Sequence, residues 1–255
     1  MISNVIGFKT LLAKETRRFL RVPGQTVAQP VITTGLYFLV FGFALGGRVR
    51  EIDGVSYVRF IVPGLVMLAL IQNAFLNTSS SMFIAKLQGT IVDLLIAPLS
   101  PVELIFAFAL AGLVRGIMVG GIVWLVAALF TGFSVAHPLW VIAFATLVAI
   151  NFSLAGLAVA IWSDKFEQLN LIPTFVITPL TFLGGVFYSA RMLPGHWATL
   201  TRINPILYMV EGLRYGLLGV SSSSPWFGFS VTAALAAVGF GVTYWMLKTG
   251  YKLRN

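Results

Sequence analysis

The sequence contains no cysteine and only two histidines, so it offers no disulfide framework and no thiolate metal site. Charged residues are also scarce, at 10% of the 255 residues against 58% hydrophobic residues. A soluble domain of this length needs far more charged surface. The long unbroken apolar runs differ from the short alternating segments of a β-barrel, and they predict an all-α polytopic membrane protein.

Acidic residues are the scarcer charge: 8 Asp and Glu stand against 17 Lys and Arg, for a net charge of +9. The basic residues lie mostly towards the two ends of the chain, where they can face the cytoplasm and anionic headgroups, so we expect membrane lipids and no nucleic acid as partners. The first 22 residues carry five Lys and Arg and no compact apolar core, which is not the pattern of a cleaved signal peptide.

The first segment, residues 1–24, has the periodicity of an amphipathic helix that ends at Pro23 and Gly24. Apolar residues on one face are Val5, Phe8, Leu12 and Phe19. Basic residues on the opposite face are Lys14, Arg17, Arg18 and Arg21, and Lys9 is an exception to the separation. This pattern predicts a helix that lies on the membrane surface, and the alternative is an ordinary basic cytoplasmic tail.

Six apolar runs in residues 25–255 predict a single transmembrane domain with six spans, at about 20 residues for each ~30 Å crossing. The predicted spans are about 28–47, 60–80, 102–130, 139–162, 171–188 and 227–247. Between the last two spans, the apolar piece within about 190–220 is short and carries Asn204, Pro205, Glu211 and Arg214. A seventh span would put the two basic ends on opposite sides, so we expect re-entrant or interfacial helices on the outer face.

The distribution of Lys and Arg predicts the orientation. With six spans, ten of these residues lie on the side of the two termini and six on the other, so both termini are expected in the cytoplasm. Six helices are few for a transport path, which favours a homodimer.

Arg115 is predicted about 20 Å into the third span, where a charge must face protein or water. The adjacent glycines 112, 116 and 120 repeat every four residues and clear one helix face for packing. Arg115 therefore either fixes packing or lines an outer cavity. Gln72, Asn73 and Asn151 raise the same question, and packing is the stronger reading for them.

The fifth span is rich in aromatic residues, including Phe182, Phe187 and Tyr188, and Pro173 and Pro179 would loosen its helix. These aromatics are interpreted either as lipid-facing residues with an interfacial tyrosine, or as a deformable wall along an amphiphile path.

No phosphate-binding loop of the form GxxxxGK[ST] is present, so we expect no ATP hydrolysis by that route and no cofactor bound by this chain. No carboxylate cluster suggests a metal. A membrane enzyme acting on a lipid-linked substrate would need a catalytic constellation that the sequence does not display. A channel or structural subunit without driven transport is a further alternative.

Four blocks of the sequence resemble the ABC-2 type export permeases, and in particular the bacterial inner-membrane permeases of that family. The blocks are FIVPGLVMLALIQNAFLNTSSSMFIAKLQGTIVDLLIAPLSP, ALAGLVRGIMVGGIVW, NLIPTFVITPLTFLGGVFYSARMLP and INPILYMVEGLRYGLLG. They follow the family's order and cover most of residues 60–219. Asp93 stands where many members carry glutamate.

The resemblance implies the transmembrane half of a type V exporter in the bacterial inner membrane, with no enzymatic activity of its own. It implies an N-terminal interface helix, a coupling helix between spans two and three, and re-entrant helices between spans five and six. Two permease chains would pair with two ATP-binding subunits, which would hold ATP and Mg²⁺ and drive export. The family's substrates include lipid-linked glycans, polysaccharides and drugs.

The stretch at about 86–98 is the predicted coupling helix, about three turns long and ended by Pro98 and Pro101. Its apolar knob consists of Ile91, Leu94, Leu95 and the backbone near Pro98, with Lys86 and Asp93 as polar flanks. The alternative is a solvated turn, which would expose this apolar patch to water. We expect the knob to dock into a cleft of the ATP-binding subunit.

Overall fold

The computed structural model describes residues 4–45 and 51–253, and within them the fold is a bundle of helices with one short hairpin. The α-helices are α1 (Val5–Leu20), α2 (Gln29–Tyr37), α3 (Tyr57–Leu87), α4 (Ile91–Ile96), α5 (Pro101–Thr131), α6 (Pro138–Trp162), α7 (Phe166–Ile172), α8 (Thr178–Leu183), α9 (Gly195–Ile203), α10 (Pro205–Leu218) and α11 (Pro225–Thr249). The strands β1 (Glu51–Ile52) and β2 (Val55–Ser56) pair antiparallel.

Four of the described helices, α3, α5, α6 and α11, are long and apolar enough to cross a membrane. They overlap the predicted spans 60–80, 102–130, 139–162 and 227–247. The remaining two predicted spans fall on helical runs that are not regular. The predicted limit of the first of these spans, residue 47, lies outside the described residues.

Each irregular run contains π-helical turns. Gly24–Ala28 precedes α2 and Phe38–Leu45 follows it, while Pro173–Ile177 joins α7 to α8. Gly24–Ala28 and Pro173–Ile177 each end two residues before a proline, Pro30 or Pro179. Proline has no N–H to bond the carbonyl four residues earlier, so the chain widens its hydrogen-bond ladder there. The run from Phe166 ends at Leu183, five residues before the predicted limit of 188.

Helix α3 is the centre of the bundle, with α5, α6 and α10 packed around it. Glycines allow these helices to touch at backbone distance. A Cβ on Gly112 of α5 would lie 2.2 Å from the Ser153 Oγ, and a Cβ on Gly156 of α6 would lie 2.4 Å from the Phe75 carbonyl oxygen of α3. The Gly112 stripe predicted for packing therefore packs as expected.

Both ends of the described chain lie at the same end of the bundle. The Asn4 backbone N–H donates to Glu103 Oε1 in the first turn of α5, at 2.9 Å. The Lys252 Nζ donates to the Trp162 carbonyl oxygen at the end of α6, at 3.0 Å. Helix α4 also lies at this end, which we call the α4 end.

The segment predicted as short re-entrant helices, about 190–220, contains a 3₁₀ turn (Ala190–Met192), α9 and α10. It returns towards the β1–β2 hairpin, at the opposite end from α4. The Ser189 Oγ donates to Asp53 Oδ2 in the hairpin turn, at 2.8 Å. Asp53 and Gly54 both have positive φ, at 50° and 77°, as a two-residue hairpin turn requires.

Candidate functional site

Helix α4 is shorter than predicted and presents a different face. It spans six residues instead of about three turns. Ile91 is 5% exposed, and Leu94 packs beside it against the core between α3, α5 and α6. The exposed apolar side chains of this turn are Leu87, Val92 and Ile96, at 70%, 54% and 75%. The predicted knob comprised Ile91, Leu94, Leu95 and the backbone near Pro98. The facing of Ile91 was wrong, because this residue is buried in the bundle core, and Leu94 is half-buried beside it.

Three further residues of the predicted coupling segment lie at its surface. Leu95 is 36% exposed and also borders the space beneath α4. Asp93 and Pro98 are exposed. We call the three most exposed apolar residues of this turn, Leu87, Val92 and Ile96, together with the exposed Asp93, the α4 surface.

Lys86 does not flank the α4 surface. Its Nζ donates to the carbonyl oxygens of Ile161 and Ser163, at 3.0 and 2.8 Å. It thus caps the C-terminus of α6, where unpaired carbonyls favour a cation.

Asp164 joins this cap to the C-terminal segment. It accepts from Lys252 Nζ at 2.5 Å and from Lys86 Nζ at 3.4 Å. The hydrogen bond from Lys252, followed by the charge of Lys252 and the contact with Lys86, holds the pKa of the Asp164 carboxyl below its usual value.

Helix α1 packs on the bundle through residues on one side of the helix. Its buried residues are Leu11, Glu15 and Phe19. Of the predicted apolar face, Phe19 packs into the bundle, whereas Val5 is 51% exposed. Lys14, Arg17 and Arg21 are exposed, as expected for a basic surface, but Arg18 turns towards α3.

A buried polar contact fixes α1 to α3. Glu15 is 1% exposed, and its Oε2 accepts from the Ser81 Oγ at 2.5 Å and from the Arg18 Nε at 3.2 Å. The Arg18 Nη2 then donates to the Asn77 carbonyl oxygen at 2.7 Å. The sequence analysis missed this contact. Glu15 could have indicated it, since it is an acidic residue within a segment of predicted basic residues.

A cavity of about 390 Å³ lies between α1, the helical run Gly24–Leu45, α3 and α5. Arg18, Gln72, Asn73 and Arg115 line it, and neutral side chains supply the rest of its wall. The Arg115 Nε donates to Asn73 Oδ1 at 3.3 Å. Arg115 thus lines a cavity, as one reading of the sequence predicted. The sequence interpretation placed this cavity on the outer side of the membrane; in the structure it adjoins α1 and lies towards the α4 end of the bundle.

Two side-chain amides of the long helices, Asn73 and Asn151, form hydrogen bonds that stabilise packing. Asn73 Nδ2 also bonds within its own helix, to the Ala69 carbonyl at 2.9 Å. Asn151 Nδ2 donates to the Thr232 carbonyl of α11 at 2.9 Å, which ties α6 to α11.

An aromatic cluster adjoins this cavity at Tyr37, which lines it. The ring of Phe187 stacks on Phe41 with 4.1 Å between centroids, and Phe182 lies 6.0 Å from Tyr37. Phe182 and Phe187 therefore belong to one wall, together with two aromatics that the sequence analysis did not single out. Tyr188 has a separate role, since its hydroxyl donates to the Leu183 carbonyl at the end of α8, at 2.7 Å.

A second buried network holds α10 in place. The Arg214 Nη1 donates to Glu211 Oε1, and its Nη2 donates to the Gly185 carbonyl at 2.6 Å. The guanidinium lies 3.9 Å from the centroid of the Phe60 ring on α3. Glu211 Oε2 accepts from the Ser222 backbone N–H at 2.5 Å. Both charged side chains are 1% exposed, so the pair is internal to the bundle.

Asn204 and Pro205 start α10. The Asn204 side chain accepts from the Ile206 N–H at 3.0 Å and donates to the Leu180 carbonyl at 2.6 Å. Pro205 occupies the first helical position, where its missing N–H costs nothing. These two residues set the geometry of the turn.

The described residues hold no group of three or more His, Asp or Glu that could bind a metal ion. Together, the long apolar helices and the polar cavity among them are features of a polytopic helical membrane protein.

The chain belongs to the ABC-2 type transporter family, whose model matches residues 6–218. It is 40% identical over 250 residues to the inner membrane transport permease YadH of Escherichia coli K12, covering 98% of each chain. It is 29% identical over 205 residues to nodulation protein J of Rhizobium meliloti strain 1021, covering 76% of this chain and 72% of the relative.

These matches support a multi-pass transmembrane transport subunit of the bacterial inner membrane. Membership of the family implies association with an ABC ATP-binding subunit.

Proposed function

We propose that this chain is the permease subunit of an ATP-driven exporter. Two copies pair with each other and with two separate ATP-binding subunits, which bind ATP and Mg²⁺. In this proposal residues 25–255 cross the membrane six times, because the two irregular helical runs complete the four long helices. The α4 end faces the cytoplasm, and an amphiphilic, lipid, glycan or drug-like substrate leaves on the other side.

The exposed α4 surface carries this proposal. Leu87 is the last residue of the long helix α3, and Val92 and Ile96 follow it in α4 at the end of the bundle. An apolar patch in water is typical of a protein interface, and here it flanks the acidic Asp93. The ATP-binding subunit would cover it.

Helix α3 connects that surface to the cavity. Its last residue, Leu87, belongs to the α4 surface, and Asn73 and Gln72 in its middle line the cavity. Closure of the ATP-binding subunits would therefore displace the cavity wall through one continuous helix. Phe182 and Phe187 lie on the far side of Tyr37 and would form the next part of the path.

The proposal is tested by introducing a charge on the α4 surface. Ile96→Glu should leave the permease folded and inserted, and it should abolish either assembly with the ATP-binding subunit or the permease-dependent part of its ATPase rate. Gln88→Glu is the matched control, since it adds the same charge on an exposed residue of the same turn without removing apolar surface.

Assembly is measured by size-exclusion chromatography of the co-expressed subunits, and coupling by ATP hydrolysis in proteoliposomes. Normal assembly and a normal permease-dependent rate in Ile96→Glu would contradict the docking role. Transport by the permease alone on an ion gradient would contradict the ATP-driven class.

A further inference from the structure

We propose that the cavity lined by Arg115 binds the anionic head group of an amphiphile, whose chain lies in an adjoining apolar groove. The inference rests on the proposed function and names the chemistry of the ligand: a phosphate or carboxylate attached to a hydrocarbon chain.

The positive charge of Arg115 carries the argument. Its guanidinium has five N–H donors, and within residues 4–45 and 51–253 the structure shows one hydrogen bond from it, to Asn73, and no ion pair. A charge inside a membrane bundle is costly unless a counter-charge or water compensates it. Most of the donors of Arg115 are thus available to a ligand.

Arg18 differs from Arg115 although both line the cavity. Its charge is balanced by Glu15 at 3.2 Å, and its donors bond Asn77. Among the described residues that line the cavity, none is acidic. The cavity therefore has a net positive charge that a phosphate or carboxylate would neutralise. A planar guanidinium binds both groups with two parallel hydrogen bonds.

The remaining polar wall suits the same ligand. Gln72, Gln29 and Thr33 line the cavity and can donate to the oxygens of a head group. These neutral donors add hydrogen bonds without a second fixed charge.

A second space adjoins the cavity at one shared lining residue, Thr34. A groove of about 270 Å³ lies between the helical run around α2 and the last turns of α5, and its lining includes Phe38, Val123, Val126 and Phe130. Along α5, Val123 lies about 12 Å beyond Arg115 and Phe130 about 22 Å beyond it, from the helical rise.

The groove has an apolar wall, whereas the cavity has a cationic one. A ligand that occupies both must carry an anionic group at one end and a hydrocarbon chain at the other. An inorganic anion would leave the groove empty, and a neutral hydrocarbon would leave Arg115 without a counter-charge.

The binding assay uses the full chain, purified in an uncharged maltoside detergent, with radiolabelled dodecyl phosphate as the probe. We expect saturable binding that Arg115→Gln weakens by about tenfold or more, from the loss of a charge-assisted hydrogen-bonded pair. The affinity of Arg115→Lys should fall between those of the wild type and Arg115→Gln, because lysine keeps the positive charge and lacks the planar guanidinium. Arg202→Gln, at an exposed arginine of α9, is the control and should bind as the wild type does.

Equal affinity in Arg115→Gln and the wild type, or no saturable binding at all, would overturn the proposal. If Arg115→Gln fails to fold, Arg115→Lys decides: its preference for dodecyl phosphate over dodecanol should drop severalfold, and an unchanged preference would count against the site.

The groove is tested separately. Val126→Trp should fill the groove. It should weaken the binding of dodecyl phosphate and leave the binding of ethyl phosphate unchanged. Val238→Trp is the control, at a valine of α11 that is 63% exposed. Equal binding of dodecyl phosphate to Val126→Trp and Val238→Trp would show that the chain does not lie in the groove.

The source of the anionic group is decided in nanodiscs of phosphatidylcholine with or without phosphatidylglycerol. Competition by phosphatidylglycerol assigns the site to a bilayer lipid head group, and absence of competition assigns it to an exported amphiphile. The assay contains no ATP-binding subunit, so loss of coupling in Ile96→Glu and loss of binding in Arg115→Gln are independent results.

Discussion

Arg18 of α1 donates to the backbone carbonyl oxygen of Asn77 in α3, at 2.7 Å, and to the Asn77 side-chain oxygen at 3.1 Å. The same guanidinium bonds Glu15 in its own helix. A residue that the sequence assigns to the basic face of the N-terminal helix thus links that helix, α1, to the central helix α3. Its side chain also lines the cavity that contains Arg115.

Glu15→Ala should destabilise the attachment of α1. The change removes the acceptor of Ser81 and the counter-charge of Arg18, and we expect a loss of about 1–3 kcal/mol, since a buried hydrogen-bonded partner is lost. Thermal unfolding in detergent measures it. Lys9→Ala, at an exposed residue of the same helix, is the control and should change stability by less than about 0.5 kcal/mol. Equal stability of the two variants would show that the contact does not hold α1.

Glu211 and Arg214 should behave as a coupled pair. Glu211→Gln leaves the Arg214 charge buried without its carboxylate, and Arg214→Met leaves the Glu211 charge without its guanidinium, so each should cost about 3–5 kcal/mol. The double variant Glu211→Gln/Arg214→Met should lose clearly less than the sum of the two. A double-mutant cycle of thermal unfolding measures the coupling, and additive losses would show that the pair acts as two independent residues.

Gly112→Ala should disturb the packing of α5 on α6. The new methyl would meet the Ser153 Oγ at 2.2 Å, so a helix must shift, and overpacking of this kind costs about 1–3 kcal/mol. Gly121→Ala on the same helix is the matched control, because nothing lies within 4 Å of its Cβ position. The control should be neutral or more stable, from the better helix propensity of alanine. Thermal unfolding of both variants compares them, and an equal effect would argue against close packing at Gly112.

The contact of Asp164 with Lys252 should loosen in acid. The folded pKa of Asp164 is lowered, so its contribution is complete above the unfolded value of about 3.9 and is lost as the pH falls through the lower folded value. Hydrogen exchange of residues 249–253 should accordingly increase as the pH falls below about 4, relative to the intrinsic exchange rate. In Asp164→Asn the pH-dependent part of this protection should be absent. A pH dependence that persists unchanged in that variant would assign it to another group.

The long helices could be predicted from the sequence because each is an apolar run of bilayer length, and α3, α5, α6 and α11 all follow that pattern. Which side of α4 faces the bundle could not be predicted from the sequence. Ile91, Val92 and Ile96 are all apolar, and over six residues no periodicity separates an inward from an outward side. Burial of Ile91 depends on where Leu104 and Phe108 of α5 lie, which only the packed bundle determines.

The sequence singled out Arg115 as a packing or cavity residue, but it did not indicate which residues surround it. Arg115 stands out because a charge in an apolar run is costly. Its neighbours come from α1 and α3, which are separated from it by tens of residues, so no local pattern brings them together. Conversely, the π-helical turn before Pro179 is a local effect, and that proline did predict an irregular fifth span.

The backbone contacts of α3 with its neighbours limit how the molecule can move. Gly156 of α6 lies against the Phe75 carbonyl of α3, and Gly112 of α5 lies against the Ser153 side chain of α6, so the three helices pack closely and have little room to slide past one another. A displacement of the α4 surface should therefore tilt α3, α5 and α6 together as one rigid body. The helical run around α2 forms the opposite wall of the cavity and contains widened turns. It would be the more deformable wall, so the cavity would open and close between it and the rigid group of helices.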